Sequence, residues 1–128
     1  MRPGVAISGT RRELTSTEEL YVLSVVGEHV ELCKNVDIHV GCAGGVDRTI
    51  RETYPGACVF TADWDGLGNK AGPMRNRAML KSLRASHGVK TTLLAFPDAD
   101  SHAGTLDCIK QAIGMGIKVK VFPLKDSE

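Results

Sequence analysis

Gly4-Val5-Ala6-Ile7-Ser8-Gly9-Thr10-Arg11 is a small apolar run closed by glycine, then a hydroxyl and a cation. A continuous apolar run of this length, bounded by a turn residue, reads as a buried strand. The segments after it decide the fold. Thr15-Ser16-Thr17-Glu18 offers a capping box, Thr15 with Glu18, and opens a helix whose apolar face steps through Leu20, Leu23, Val26, Val30 and Cys33. Val36-Asp37-Ile38-His39-Val40-Gly41 alternates as a second strand, with His39 read as structural. A second helix runs through Val46, Ile50 and Tyr54 to Pro55-Gly56, and Ala57-Cys58-Val59-Phe60-Thr61 makes a third strand.

Residues Ala62 to Gly72 carry three glycines, two aspartates and the sole Trp without any period, which reads as a functional loop. A helix from Pro73 to about Ser86 comes next, with proline suited to its first turn. Thr91 to Phe96 is an apolar strand fit for the centre of a parallel sheet. Leu106, Ile109, Ala112 and Ile113 mark a last helix, ended by Gly114 and Gly116. Ile117 to Val121 alternates, and its lysines suit an exposed edge strand. Five strands alternating with four helices imply an α/β fold: a Rossmann-like three-layer sandwich, mostly parallel, with helices on both faces. One domain is expected over 1–124, with a frayed tail at 125–128.

At 128 residues the chain has room for one domain, and 42% hydrophobic with 24% charged residues matches a globular composition. No apolar run approaches the ~18 residues of a membrane span. The N-terminus lacks the pattern of a signal peptide, so a cytoplasmic protein is expected. Cys33, Cys42, Cys58 and Cys108 are scattered without a CxxC pair and read as reduced thiols. The four histidines do not cluster with them at ligand spacing, so neither a metal nor another cofactor is expected. A formal charge of +1 disfavours nucleic acid as a partner.

In an open α/β sheet, ligands bind at the carboxyl ends of the strands. The residues just beyond the first four strands are Ser8 to Arg11, Gly41 to Asp47, the Trp64 loop ending in Lys70 to Asn76, and Pro97 to Thr105. Gly44-Gly45 and Gly104-Thr105 stand at helix starts, where backbone amides and the positive dipole end suit a phosphate. With Arg11, Lys70 and Arg75 on the same edge, a bound anion is expected. No P-loop and no GxGxxG fingerprint occurs, which removes most support for ATP or GTP hydrolysis and for ordinary NAD binding. Trp64 could stack on a base or pack its loop onto the body. Asp47 could cap the second helix or take a ribose hydroxyl. Asp63 and Asp65 read as solvated, Cys42 as a neutral filler, and His102 as a candidate phosphate contact.

Ser8-Gly9-Thr10-Arg11, the Gly41–Asp47 loop, Lys70-Ala71-Gly72-Pro73-Met74-Arg75-Asn76-Arg77-Ala78-Met79 and Gly104-Thr105-Leu106-Asp107 occur in that order over nearly the whole chain. Together they resemble the SLOG superfamily, in particular its small YspA-like members from bacteria and phages. The resemblance implies a Rossmann-like fold and a nucleotide or nucleotide-derived ligand held by Ser8, Gly9, Thr10, Arg11, Gly44, Gly45, Asp47, Trp64, Lys70, Gly72, Pro73, Asn76, Gly104 and Thr105.

The superfamily includes the Lonely Guy phosphoribohydrolases, which cleave the N-glycosidic bond of nucleoside 5′-monophosphates. Their motif of an Arg four residues before a Met matches Arg75 and Met79, and their GT matches Gly104-Thr105. The motif's final glutamate falls on Cys108, and the nearest acid is Asp107. Hydrolysis would therefore rest on Arg75 and Asp107. The alternatives are a sensor or sponge for a signal such as an ADP-ribose species, or a DNA-processing accessory like DprA. The lysine-bearing edge and exposed helices are compatible with a homodimer, the form Lonely Guy proteins take.

Overall fold

Val5, Ala6 and Ile7 have no solvent exposure at all, and the rest of the molecule is arranged around the strand that carries them. The structure is a computed structural model of the chain, and it describes residues 2–98 and 103–124. In chain order the elements are β1 (Gly4–Gly9), α1 (Ser16–Cys33), β2 (Asp37–Gly41), α2 (Val46–Thr53), β3 (Cys58–Phe60) and α3 (Trp64–Leu67). A 3-10 turn over Gly68–Lys70 leads into α4 (Ala71–His87), β4 (Thr91–Phe96), α5 (Ala103–Gly114) and β5 (Lys118–Val121).

The strands form one five-stranded sheet in the order β3-β2-β1-β4-β5, every pairing parallel. Side chains alternate between the two faces of a strand, and the core divides accordingly. Val5, Ile7, Val40 and Phe96 pack with Val22 and Val26 of α1 and with Val46 and Ile50 of α2. Ala6, Leu93 and Ala95 pack on the other side with Met79, Leu80 and Leu83 of α4 and with Cys108 and Ala112 of α5. The α/β three-layer arrangement expected from the alternating pattern is the one observed. No helix among the described residues is long and apolar enough to cross a membrane.

Several local expectations are corrected. In α1, Leu20 is 70% exposed, and the buried apolar positions are Val22 and Val26. In α5 the buried positions are Thr105, Cys108 and Ala112, while Leu106 and Ile113 face outward. Each helix is rotated from its expected face because each buries small or polar residues that a hydrophobic count passes over. The 62–72 segment is helical rather than irregular: the Asp63 carboxylate accepts the Gly66 amide at 3.0 Å and caps α3. Helix α4 consequently starts at Ala71, with Pro73 at its third position, where the missing N–H removes no intrahelical bond. The tail 125–128 and His102 lie outside the described residues.

The capping box is present. Thr15 Oγ1 accepts the Glu18 amide at 3.2 Å, and Glu18 Oε1 accepts the Thr15 amide at 2.9 Å. Arg12 extends it. Its guanidinium donates to both Glu18 oxygens at 2.8 and 2.6 Å and to Asp98 just beyond β4. One cation thus ties the β1–α1 loop, the start of α1 and the end of β4 together. The Arg12 hydrogen bond, with smaller help from Thr15, holds the Glu18 carboxyl down at about 2 against the opposing effect of burial.

Candidate functional site

After β3 the chain returns through α4 to the opposite side of β1, so the strand order switches beside β1. Such a switch opens a crevice at the carboxyl ends of the strands. A cleft of about 240 Å³ lies there, lined by Ser8, Gly9, Thr10 and Arg11 after β1, Ala43 and Asp47 after β2, Arg75 of α4, and Ala103, Gly104 and Thr105 of α5.

Main-chain bonds close its floor. The Thr10 amide donates to the Phe96 carbonyl at 3.1 Å, and the Val46 amide donates to the Thr10 carbonyl at 3.1 Å. This contact explains Gly45, whose φ of 59° and ψ of −122° suit glycine. A Cβ there would also overlap the carbonyl oxygens of Thr10 and Arg12. Here the expectation is corrected: Gly44 and Gly45 do not line the cleft. They face a neighbouring hollow shared with Glu13, Glu19 and Glu52, and the Val46 amide is already taken by Thr10.

Two arginines and the start of α5 face the cleft, together with the carboxyl of Asp47. The first-turn amides of a helix have no intrahelical acceptors, and Ala103, Gly104 and Thr105 bring this end of α5 to the cleft. The Arg11 guanidinium lies 4.6 Å from the centre of the Trp64 ring, a cation–π contact. Trp64 is therefore the platform for Arg11, and it also rests against Gly72.

Arg75 Nε donates to Asn76 Oδ1 at 2.9 Å, and its Nη1 lies 3.9 Å from Cys42 Sγ. Cys42 also accepts the Ala62 amide at 3.3 Å. It fills and positions. Among the described residues, no carboxylate lies within ion-pair distance of Arg11 or Arg75.

Asp47 is only 4% exposed. It does not cap α2, whose N-cap is Gly45 without a side-chain bond; its carboxylate instead accepts the Ala43 amide at 3.3 Å. Burial pushes its carboxyl up to about 6, opposed in part by the nearby charge of Arg75. Gly41 permits this arrangement, because a Cβ there would overlap both Arg75 Nη1 and Asp47 Oδ2. Arg51, which the sequence reading did not single out, pins the loop by donating to the Gly41 and Ala43 carbonyls at 3.0 and 2.7 Å.

Asp107 is a second correction. Its Oδ2 accepts Asn76 Nδ2 at 3.1 Å and Gln111 Nε2 at 2.8 Å, and Asn76 also reaches the Gly104 carbonyl at 3.2 Å. Asp107 and Asn76 thus brace α5 against α4, and neither lines the cleft. Cys108, where the Lonely Guy glutamate would fall, is a buried thiol pushed up to about 12 by burial. Lys70 and Pro73 are exposed outside the cleft, and Gly72 is buried beneath Trp64. Ser8, Gly9, Thr10, Arg11, Asp47, Arg75, Gly104 and Thr105 do converge on it.

No family model matches the chain, and no curated protein or solved structure shows a significant likeness to it.

Proposed function

We propose that the protein binds the phosphate-bearing part of a nucleotide or nucleotide-derived ligand in this cleft, as a member of the SLOG superfamily would. The observation that carries the reading is the convergence of Arg11, Arg75 and the start of α5 on one cavity, with no carboxylate paired to either arginine among the described residues. Two arginines that make no ion pair among the described residues, beside the start of a helix, favour an anion. The volume suits a sugar phosphate, with the rest of a larger ligand lying outside.

A thermal-shift panel of nucleoside mono- and diphosphates, cyclic dinucleotides and ADP-ribose derivatives tests it. A ligand at a hundred times its dissociation constant adds about 2.7 kcal/mol, which corresponds to roughly 10 °C in a domain of this size. Arg75→Ala abolishes the shift. Gly41→Ala weakens it as well, with some loss of folding stability, since the added methyl must displace the buried Asp47 carboxylate along with the Arg75 guanidinium. A panel without any stabilising ligand overturns the proposal.

The Asp47 carboxyl favours a second, catalytic reading. General acid–base work is best done near the ambient pH, and about 6 is close to it. N-glycosidic hydrolysis of a nucleoside 5′-monophosphate would then draw on Asp47 rather than Asp107. Base release is expected to vanish in Asp47→Asn and to survive in Asp107→Asn; the reverse pattern refutes this assignment. A ligand recovered intact supports the sensor or sponge role, and salt-dependent binding of single strands would support a DprA-like accessory.

A further inference from the structure

The opposite end of the sheet holds a second cluster of chemical groups that the nucleotide reading does not use. Asp37 and His39 stand two residues apart on β2 and so share one face of the strand, and His87 is the last residue of α4. His87 Nε2 and His39 Nε2 both approach Asp37 Oδ2, at 2.8 and 3.0 Å. One donor atom from each of the three residues lies within 4.8 Å of the others. We propose that Asp37, His39 and His87 form a binding site for a divalent transition-metal ion of the zinc, cobalt or nickel class.

Proton placement supports this. His87 Nδ1 lies 2.6 Å from the Arg2 carbonyl oxygen, which can only accept, so Nδ1 carries a proton. In a neutral ring Nε2 is then a bare lone pair, and it points at a carboxylate oxygen, another acceptor. A cation between them removes the conflict. A backbone carbonyl on the far nitrogen is also one of the common outer partners of a metal-ligating histidine.

The spacing fits as well. Ligand atoms about 2.1 Å from one ion lie ~3.0–3.4 Å apart in octahedral or tetrahedral arrangements, so an ion is admitted once the two Asp37 contacts open slightly and the two imidazole nitrogens, within 4.8 Å of each other, settle at the same spacing.

The rings are held in place. The His39 and His87 side chains are 4% and 5% exposed, and His39 stacks on Phe60 with ring centres 5.4 Å apart. His39 Nδ1 has no hydrogen-bond partner, so the ring's polar anchor is the Nε2 it shares with Asp37. The Asp37 side chain is 28% exposed, which leaves an entry path and room for water to complete the coordination. Two imidazoles and one carboxylate suit borderline divalent ions better than calcium or magnesium, which favour oxygen. The ion would brace β2 against the end of α4, far from the cleft.

The test is titration of the metal-stripped full chain with Co²⁺ near neutral pH. One equivalent is expected to bind, giving ligand-field bands without a thiolate charge-transfer band, and Zn²⁺ is expected to raise the melting temperature. Both effects disappear in His87→Gln and in Asp37→Asn. Should those variants fail to fold, histidine NMR of the native chain decides: Zn²⁺ must perturb His39 and His87 and leave His29 unchanged. No binding at several-fold excess, thiolate bands, or a perturbed His29 overturns the proposal. So does a His87 that only forms a metal-independent ion pair with Asp37.

Discussion

Replacing Arg12 by Met is expected to cost about 2–4 kcal/mol of folding stability, somewhat below the ~3–5 kcal/mol for breaking a fully enclosed ion pair, because the Arg12 side chain is itself 35% exposed. The Glu18 and Asp98 side chains are 10% and 3% exposed, and both lose their cation at once. The loss corresponds to a melting temperature lower by on the order of 10 °C. Lysine cannot grip two carboxylates as the guanidinium fork does, so Arg12→Lys should restore only part of it.

The pH dependence has a defined sign. Glu18 has a depressed carboxyl, so its contribution is complete above its unfolded value near 4.5 and disappears as pH falls through about 2. Urea unfolding between those limits should show a shallower acid slope in the variant. An unchanged slope with unchanged midpoint would mean that the clamp contributes nothing.

Asp47→Asn is expected to act in the opposite direction. The native carboxyl is raised from 3.8 to about 6, so the folded state holds its proton more tightly than the unfolded chain does. Its contribution is present below 3.8 and is lost as pH rises through about 6. At ~1.4 kcal/mol for each pH unit, ionising it in place costs on the order of 3 kcal/mol by pH 8. The amide keeps an acceptor for the Ala43 amide and carries no charge. The variant should therefore be more stable than the native protein at pH 8 and nearly indifferent to pH between 4 and 6. In the native protein, affinity for a phosphate ligand should weaken as pH rises through about 6. A denaturation series across this range, with and without ligand, checks both statements; a variant less stable at pH 8 refutes the first.

The fold was legible where local signals agreed. The apolar runs Gly4–Gly9 and Thr91–Phe96 have the observed strand limits, and the Thr15–Glu18 capping box forms as read. Helix faces were harder, because a slip of one residue turns a side chain by about 100°. Glu18 illustrates why: a charged residue is buried against Arg12, which no hydropathy pattern anticipates.

The cleft was legible as an edge of the sheet but not in its roles. Asp107 sits next to a matching motif, yet Asn76 and Gln111 draw its carboxylate away. From its place at the start of the second helix Asp47 is open to capping or to a ribose hydroxyl, and only the packed structure shows it buried. The Asp37–His87 contact joins residues 50 positions apart, beyond the reach of any spacing rule.

The cleft separates what holds it together from what it holds. Its base is closed by Thr10, Phe96 and Val46 through backbone groups, which any sequence carries, whereas Arg11 is exposed and Arg75 only half-buried. Exchanging the exposed Arg11 would alter the guest at little cost to the host, whereas Arg75 also offsets the buried charge of Asp47. Under the proposed anion-binding reading, such a scaffold would let the guest drift over evolutionary time while the architecture stays put, and Asp47, sealed inside, is the member of the cleft whose replacement would be felt by both.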